Sequence, residues 1–263
     1  MVPEPAPRRR KVQSAEFGLL VLRGLADMGG AASLTGLAQA LGENPAKIHR
    51  YLASLKEAQF VVQHTSGQRY ALGPAALAIG LAAMRQIDAL ESAAPEIAAL
   101  AETRNAVAFV AVIGNRGPAI MRWEEPMQPV TVNVRVGSVL PILWSATGRA
   151  FAAFMRSSLI DGLIEAELAA ATPDQRRLIP DRAAAETIFA ATRQAGCAAI
   201  HDTLLRGVSA VAVPVFDFSG RVAAVMTALG TSGEIDPDPE APLAQDMKTR
   251  AAALSRALGW AKA

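Results

Sequence analysis

Between residues 13 and 28 the apolar side chains Phe17, Leu20, Val21, Leu25 and Met28 return at steps of three and four, the spacing of one helical face. Gly29-Gly30 stops that pattern. Ser33 then stands as an N-cap before Leu34, Leu37, Ala38 and Leu41, which predict a second, short helix ending at Gly42. Asn44-Pro45 opens a third: Asn caps free amides, and Pro at the first helical position gives up a hydrogen bond that has no partner there. Ile48, Tyr51, Leu52 and Leu55 form its buried stripe, leaving Lys47, His49 and Arg50 mostly off it. Two short β patterns, 60–64 and 68–72, flank Thr65-Ser66-Gly67 as a hairpin. Three helices followed by a β-ribbon predict a winged helix-turn-helix.

Gly73-Pro74 breaks the chain, and 75–93 returns to helical spacing through Leu77, Leu81, Met84 and Leu90 in an Ala-rich, nearly uncharged segment. Such a helix needs a surface to pack on, either a second copy or the winged domain. Pro95 is expected to open a further helix towards Arg104. Beyond it, strands are predicted at 106–113, 118–123, 130–134, 198–201, 208–216 and 221–229. Helices are predicted at 145–155, 158–171, 182–195 and 242–260. Strands grouped as hairpins with helices between them point to an α+β fold with one mostly antiparallel sheet. The expected organisation is a basic tail at 1–12, a winged domain at 13–73, a connecting helix at 74–94 and a second domain at 95–263.

Composition narrows the classes. The 263 residues are 51% hydrophobic and 19% charged, which excludes wholesale disorder and fibrous repeats. A single cysteine, Cys197, excludes an intrachain disulfide and points to a reducing compartment, the cytoplasm. No apolar run is long enough for a membrane span, so no membrane partner is expected. The net charge of +2 is an average of unlike halves. The first 85 residues carry ten Lys and Arg against five Asp and Glu, the remainder sixteen against nineteen. A basic segment joined to an acidic one is the footprint of a nucleic-acid reader attached to a domain that does not bind nucleic acid.

With these features together, the sequence resembles the IclR family of bacterial transcriptional regulators over nearly its whole length. The resemblance lies in Ser33-Leu34-Thr35, in 47–55 (Lys-Ile-His-Arg-Tyr-Leu-Ala-Ser-Leu) and in 69–73 (Arg-Tyr-Ala-Leu-Gly). It continues in 137–141, in Ser145-Ala146-Thr147-Gly148-Arg149-Ala150, at Gly207 and in 211–217. It implies an N-terminal winged helix-turn-helix that binds operator double-stranded DNA and a C-terminal GAF-like domain that binds a small-molecule effector. It also implies a homodimer or tetramer, acting as repressor or activator, with catabolic genes as targets. The third helix and the wing carry the polar groups for DNA contact: Asn44, Lys47, His49, Arg50, Gln68 and Arg69, with Lys47 and Arg50 foremost.

For the effector, Ser145 caps a helix whose small residues let a ligand approach its free amides, which suits a carboxylate. The resemblance places backbone donors at Ala146 and Thr147, and further pocket positions at Ile200, Ala210, Thr227 and Leu229, with Trp144 and Trp123 offered as walls. Where acid-binding relatives place a carboxylate and a hydroxyl, this chain has Ile200 and Leu229. The expected effector is therefore an aromatic or fairly apolar acid. The alternatives are a neutral apolar ligand or a winged-helix regulator with no metabolite ligand.

An enzyme is not expected. The segment Gly207-Val208-Ser209-Ala210-Val211 lacks the second glycine of a nucleophile elbow, and no phosphate loop, paired-histidine zinc motif or dinucleotide fingerprint is present. Cys197, His201 and Asp202 are the rival thiol–imidazole or metal reading, without the further base, orienting group or ligand that either needs. No cofactor is implied.

Overall fold

The computed structural model describes residues 12–64, 68–86, 88–126 and 134–261. The basic tail up to residue 11, the turn at 65–67 and most of the strand expected at 130–134 lie outside these. The chain divides into two compact units, residues 1–86 and 87–263.

In the first unit α1 (Gln13–Asp27), α2 (Leu34–Leu41) and α3 (Pro45–Glu57) pack around Val21, Leu25, Leu37, Ile48 and Leu52. Capping explains the boundaries. Ser33 Oγ accepts from the Gly36 amide at 3.1 Å, Gly42 ends α2 at φ +64°, and Asn44 Oδ1 accepts from the Ala46 amide at 2.8 Å. The hairpin strands β2 (Val61–Gln63) and β3 (Tyr70–Leu72) are joined by β1 (Ala31–Ala32), which pairs antiparallel with β3. Two alanines carry no strand periodicity, so β1 has no signature in the sequence. Its pairing ties the entry to α2 to the wing. Helix α4 (Pro74–Gln86) follows, with Leu77, Ile79 and Leu81 exposed.

The second unit opens with α5 (Ala89–Arg104), not with the helix expected at Pro95. Asp88 Oδ1 accepts from the Leu90 amide and so starts the helix a turn and a half earlier, with Pro95 inside it. The expected continuous helix over 75–93 is accordingly two helices. Next come β4 (Val107–Gly114), β5 (Gly117–Glu124), α6 (Ala146–Phe154), α7 (Ser158–Ala169) and α8 (Pro173–Leu178). They are followed by α9 (Arg182–Ala195), β6 (Ala198–His201), β7 (Val208–Phe216), β8 (Val222–Thr231) and α10 (Pro242–Ala257). The strands form one antiparallel sheet in the order β5-β4-β8-β7-β6. One face carries Val107, Phe109, Ala210, Ala212 and Leu229 into a core shared with α6, α7 and α9; the other carries Val110, Val211, Val213 and Met226 against α5 and α10. Burial on both faces is why β4 reads as a near-continuous apolar run and not as an alternation.

Candidate functional site

Pairing register assembles a site on one face of the sheet. Ile200 stands opposite Ala210, Ala210 opposite Leu229, and Thr227 opposite Phe109, so residues from β6, β7, β8 and β4 converge below the N-terminus of α6. Together with Leu140, Ser145, Ala146, Thr147, Val134, Leu204, Leu205 and Val208 they line a cavity of about 40 Å³. Among the described residues the walls are apolar apart from three hydroxyls, and no charged side chain lines them. Thr147 Oγ1 and Thr227 Oγ1 lie 2.8 Å apart.

The N-terminus of α6 is held rigidly. Ser145 Oγ accepts from the Gly148 amide at 2.9 Å and donates to the Pro141 carbonyl at 2.6 Å. The Glu167 carboxylate accepts from the amides of Ile142 and Leu143 at 2.6 and 2.9 Å, and Arg149 Nε donates to the Leu143 carbonyl at 2.8 Å. Burial pushes the Glu167 carboxyl above its ordinary value, against the pull of those two amides, and pushes the Arg149 guanidinium down to about 10. Gly148 allows the approach: a Cβ there would sit 2.2 Å from the Pro141 carbonyl oxygen. With Gly148 and Arg149 bonded to the cap, the amides of Ala146 and Thr147 meet no acceptor among the described residues. They are buried beside the cavity, donors awaiting an acceptor.

Of the residues expected around an effector, Ala146, Thr147, Ile200, Ala210, Thr227 and Leu229 share this cavity. Trp144 does not line it. Its side chain is buried in the core cluster that the sheet shares with α6, α7 and α9. Trp123 stacks on Phe109 from the neighbouring strand, at 5.7 Å between centroids, and is not among the lining residues. Leu204 and Leu205, which the sequence pattern does not single out, cover the cavity from the loop between β6 and β7. A half-exposed leucine pair in a loop has no periodicity that would mark it. That loop is tied down by Asp202, whose Oδ1 accepts from Ser232 Oγ at 2.7 Å and from the Gly207 amide at 2.8 Å. His201 Nδ1 lies 3.0 Å from Ser209 Oγ in the same network. Cys197 is buried, and no metal-ligating cluster is found among the described residues.

In the first unit, the residues expected to face DNA differ in their freedom. His49 and Arg50 are exposed on α3, and Arg50 makes no ion pair among the described residues. Lys47 is engaged: Nζ donates to both Glu43 carboxylate oxygens at 3.0 and 3.1 Å and lies 3.8 Å from the centroid of the Phe17 ring. Asn44 spends Oδ1 on the helix cap. Arg69 Nη2 donates to the Ala31 carbonyl at 2.8 Å, joining the wing to β1. Gln68 is exposed at φ +51°. An ion pair between Arg50 and Glu43 does not form, since Lys47, one turn after Glu43 on the same face, takes that carboxylate.

Comparison with known proteins is consistent over nearly the whole chain. Residues 14–65 match the family described as the IclR helix-turn-helix domain, and residues 81–256 that described as bacterial transcriptional regulator IclR C-terminal. The chain is 27% identical over 250 residues to the DNA-binding transcriptional repressor YiaJ of Escherichia coli, covering 94% of this chain and 88% of that protein. It is 28% identical over 255 residues to the glycerol operon regulatory protein of Streptomyces griseus, covering 95% and 98%. The crystal structure of Pseudomonas aeruginosa HmgR superposes with a TM-score of 0.81 at 40% identity, over 95% of this chain and 99% of that one.

Proposed function

Because the chain belongs to the IclR family and is a DNA-binding transcriptional regulator and not an enzyme, we propose that it senses an apolar, aromatic-type carboxylate in the cavity beneath α6 and converts occupancy into a change of operator affinity. The observation that carries this reading is the pairing of two acceptorless amides, Ala146 and Thr147, with an otherwise apolar wall. Donors without a neighbouring carboxylate select an anionic or carbonyl acceptor, and the apolar wall selects a hydrophobic body. Ile200 and Leu229 leave a small hydrated oxoacid without partners for its remaining polar atoms.

At about 40 Å³ the cavity is smaller than an aromatic ring requires. Ligand entry therefore moves the Leu204–Leu205 loop outwards, since these two leucines are the half-exposed part of the cover. A ligand that binds the displaced loop better than the closed one shifts the population of the sensor towards it. Homodimerisation uses the apolar surface of α1 and α4, where Leu19, Leu22, Leu72 and Ile79 border a cleft, and sets the spacing of two copies of α3 on the operator. Repression is the sense carried by the named E. coli relative.

Calorimetric titration of the full-length protein tests the effector class. Benzoate and phenylacetate are expected to bind more tightly than glyoxylate and pyruvate; the reverse order overturns the reading. A neutral apolar ligand is the second reading, favoured by the absence of any cation among the described residues of the cavity wall. Toluene binding without benzoate binding would select it.

A further inference from the structure

Resting on the reading of α3 as the DNA-facing helix, we infer that Lys47 is a positioning residue that pins α3 to α1, and that base selection on α3 is left to His49 and Arg50. Composition and position make Lys47 and Arg50 look equivalent, two cations three residues apart on one helix. Their surroundings separate them.

Lys47 is held from two sides. Its ammonium group bonds both oxygens of Glu43, the last residue before the Asn44 cap, and rests on the face of Phe17 from α1. Phe17 in turn packs on Tyr51, one turn further along α3, with ring centroids 4.6 Å apart. These contacts form a strip along the α1–α3 junction. A cation over a ring gains more where it is partly desolvated, and this one is only partly exposed. Leaving the strip to reach a phosphate would cost Lys47 the ion pair and the ring contact together.

Arg50 is in the opposite state. The buried stripe of α3 is Ile48 and Leu52, and His49 and Arg50 stand exposed away from it, with Ala46 and Ala53 one turn to either side. Small alanines flanking two long polar side chains let a helix lie close to base edges. The Arg fork then meets the two major-groove acceptors of a guanine, and the alanine methyls suit thymine C5-methyl groups. Each operator half-site is thus expected to hold a guanine whose identity depends on Arg50.

The test uses the full-length dimer and a duplex selected by it from a random-sequence library. Failure to select any sequence would reject the DNA-facing role of α3 itself, an outcome separate from any failure of the division between Lys47 and Arg50. Arg50→Ala is expected to lose the guanine preference at one position per half-site and to bind the selected duplex roughly tenfold to a hundredfold more weakly. For Lys47 the salt dependence decides. Lys47→Met, which keeps the stem over Phe17, is expected to weaken selective binding while leaving the slope of log affinity against log salt unchanged. Were Lys47 bound to a phosphate, its removal from both protomers would instead lower the slope by about 0.9 for each half-site.

Glu43→Gln gives an independent reading. If Lys47 is a pin, breaking the pair weakens selective binding as Lys47→Met does; if it contacts phosphate, freeing it from Glu43 strengthens binding. Lys47→Arg, able to hold both the carboxylate and the ring, is expected to restore wild-type selectivity. A reduced salt slope in Lys47→Met, tighter binding in Glu43→Gln, or an unchanged base preference in Arg50→Ala would each overturn the inference.

Discussion

Thr147 on α6 and Thr227 on β8 bring their hydroxyl oxygens to 2.8 Å inside the cavity, the polar link between the helix and the sheet that enclose it. A single hydrogen bond joins two hydroxyls, so one of the two hydrogens is left to a ligand acceptor. Thr227→Val keeps the volume and removes the hydroxyl partner that fixes where Thr147 presents its hydrogen. It is expected to weaken benzoate binding by roughly tenfold, while Thr227→Ser retains it, as read by calorimetry. Equal affinity in the Val variant would show that the carboxylate relies on the α6 amides alone.

Ile200 and Leu229 face each other across Ala210 and set the apolar character of the wall. Ile200→Asp introduces a carboxylate next to the ligand's own. The expected outcome is at least a tenfold loss for benzoate, from like-charge repulsion in a partly desolvated cavity. Leu229→Ser in the same chain supplies a hydroxyl and is expected to raise glyoxylate affinity relative to benzoate. An unaltered ratio of the two acids would mean that the cavity wall does not decide selectivity.

Gly148 marks where α6 touches the segment before it. Since a Cβ would lie 2.2 Å from the Pro141 carbonyl oxygen and 2.4 Å from Ile142 Cα, Gly148→Ala has no side chain end that can yield. Its expected cost is about 3 kcal/mol, the upper part of the range for overpacking, measured by urea denaturation. A loss under about 1 kcal/mol would show that the 141–145 segment is free to shift.

The Asp202 carboxylate is held below its ordinary value, first by the Ser232 hydroxyl and then by the Gly207 amide and neighbouring groups. A depressed folded value stabilises the folded form above the ordinary carboxyl value of 3.8 and is lost as pH falls through the lower, folded one. The stability difference between wild type and Asp202→Asn should therefore shrink as pH falls below about pH 4. A difference that persists undiminished at pH 2 would assign the loop's anchoring to the other bonds of the turn.

Leu19 and Ile79 are exposed on α1 and α4 of a single chain and border the same apolar cleft. Glutamate at either position is expected to shift the mass in light scattering from dimer to monomer. Monomer stability should change by no more than about 0.5 kcal/mol, as for other exposed sites. A dimer that survives both substitutions would place its interface elsewhere.

Legibility in the sequence followed the range of the interaction. The caps at Ser33, Asn44 and Ser145 and the stripe of Ile48 and Leu52 act within a few residues, and each has its geometry where the sequence places it. Helix α8 has no counterpart in the apolar periodicity although Thr172 and Gln175 form a full capping box, because only six residues follow the cap and no apolar face identifies them. The start of α5 lies away from its expected place for a related reason: Pro95 is a strong local signal, but Asp88 supplies the cap that decides where the amides begin to be satisfied.

The amino-acid sequence alone determined the three helices and hairpin of the first unit and the main strands and long helices of the second, because those depend on periodicity, capping and turn chemistry that neighbouring residues carry, whereas the residues offered to a cavity below α6 rest on the family resemblance. Tertiary structure decided what distance in the chain conceals. Phe17, on a different helix, takes Lys47 out of the set of free cations, and the sheet register brings Ile200, Ala210, Thr227 and Leu229 to a common wall with Phe109. Trp144, next to the Leu143 backbone held by Glu167 and Arg149, is buried in the core and does not line that wall. A side chain's role is set by which groups satisfy its charge and surface, and for these residues those groups arrive only when the chain has closed on itself.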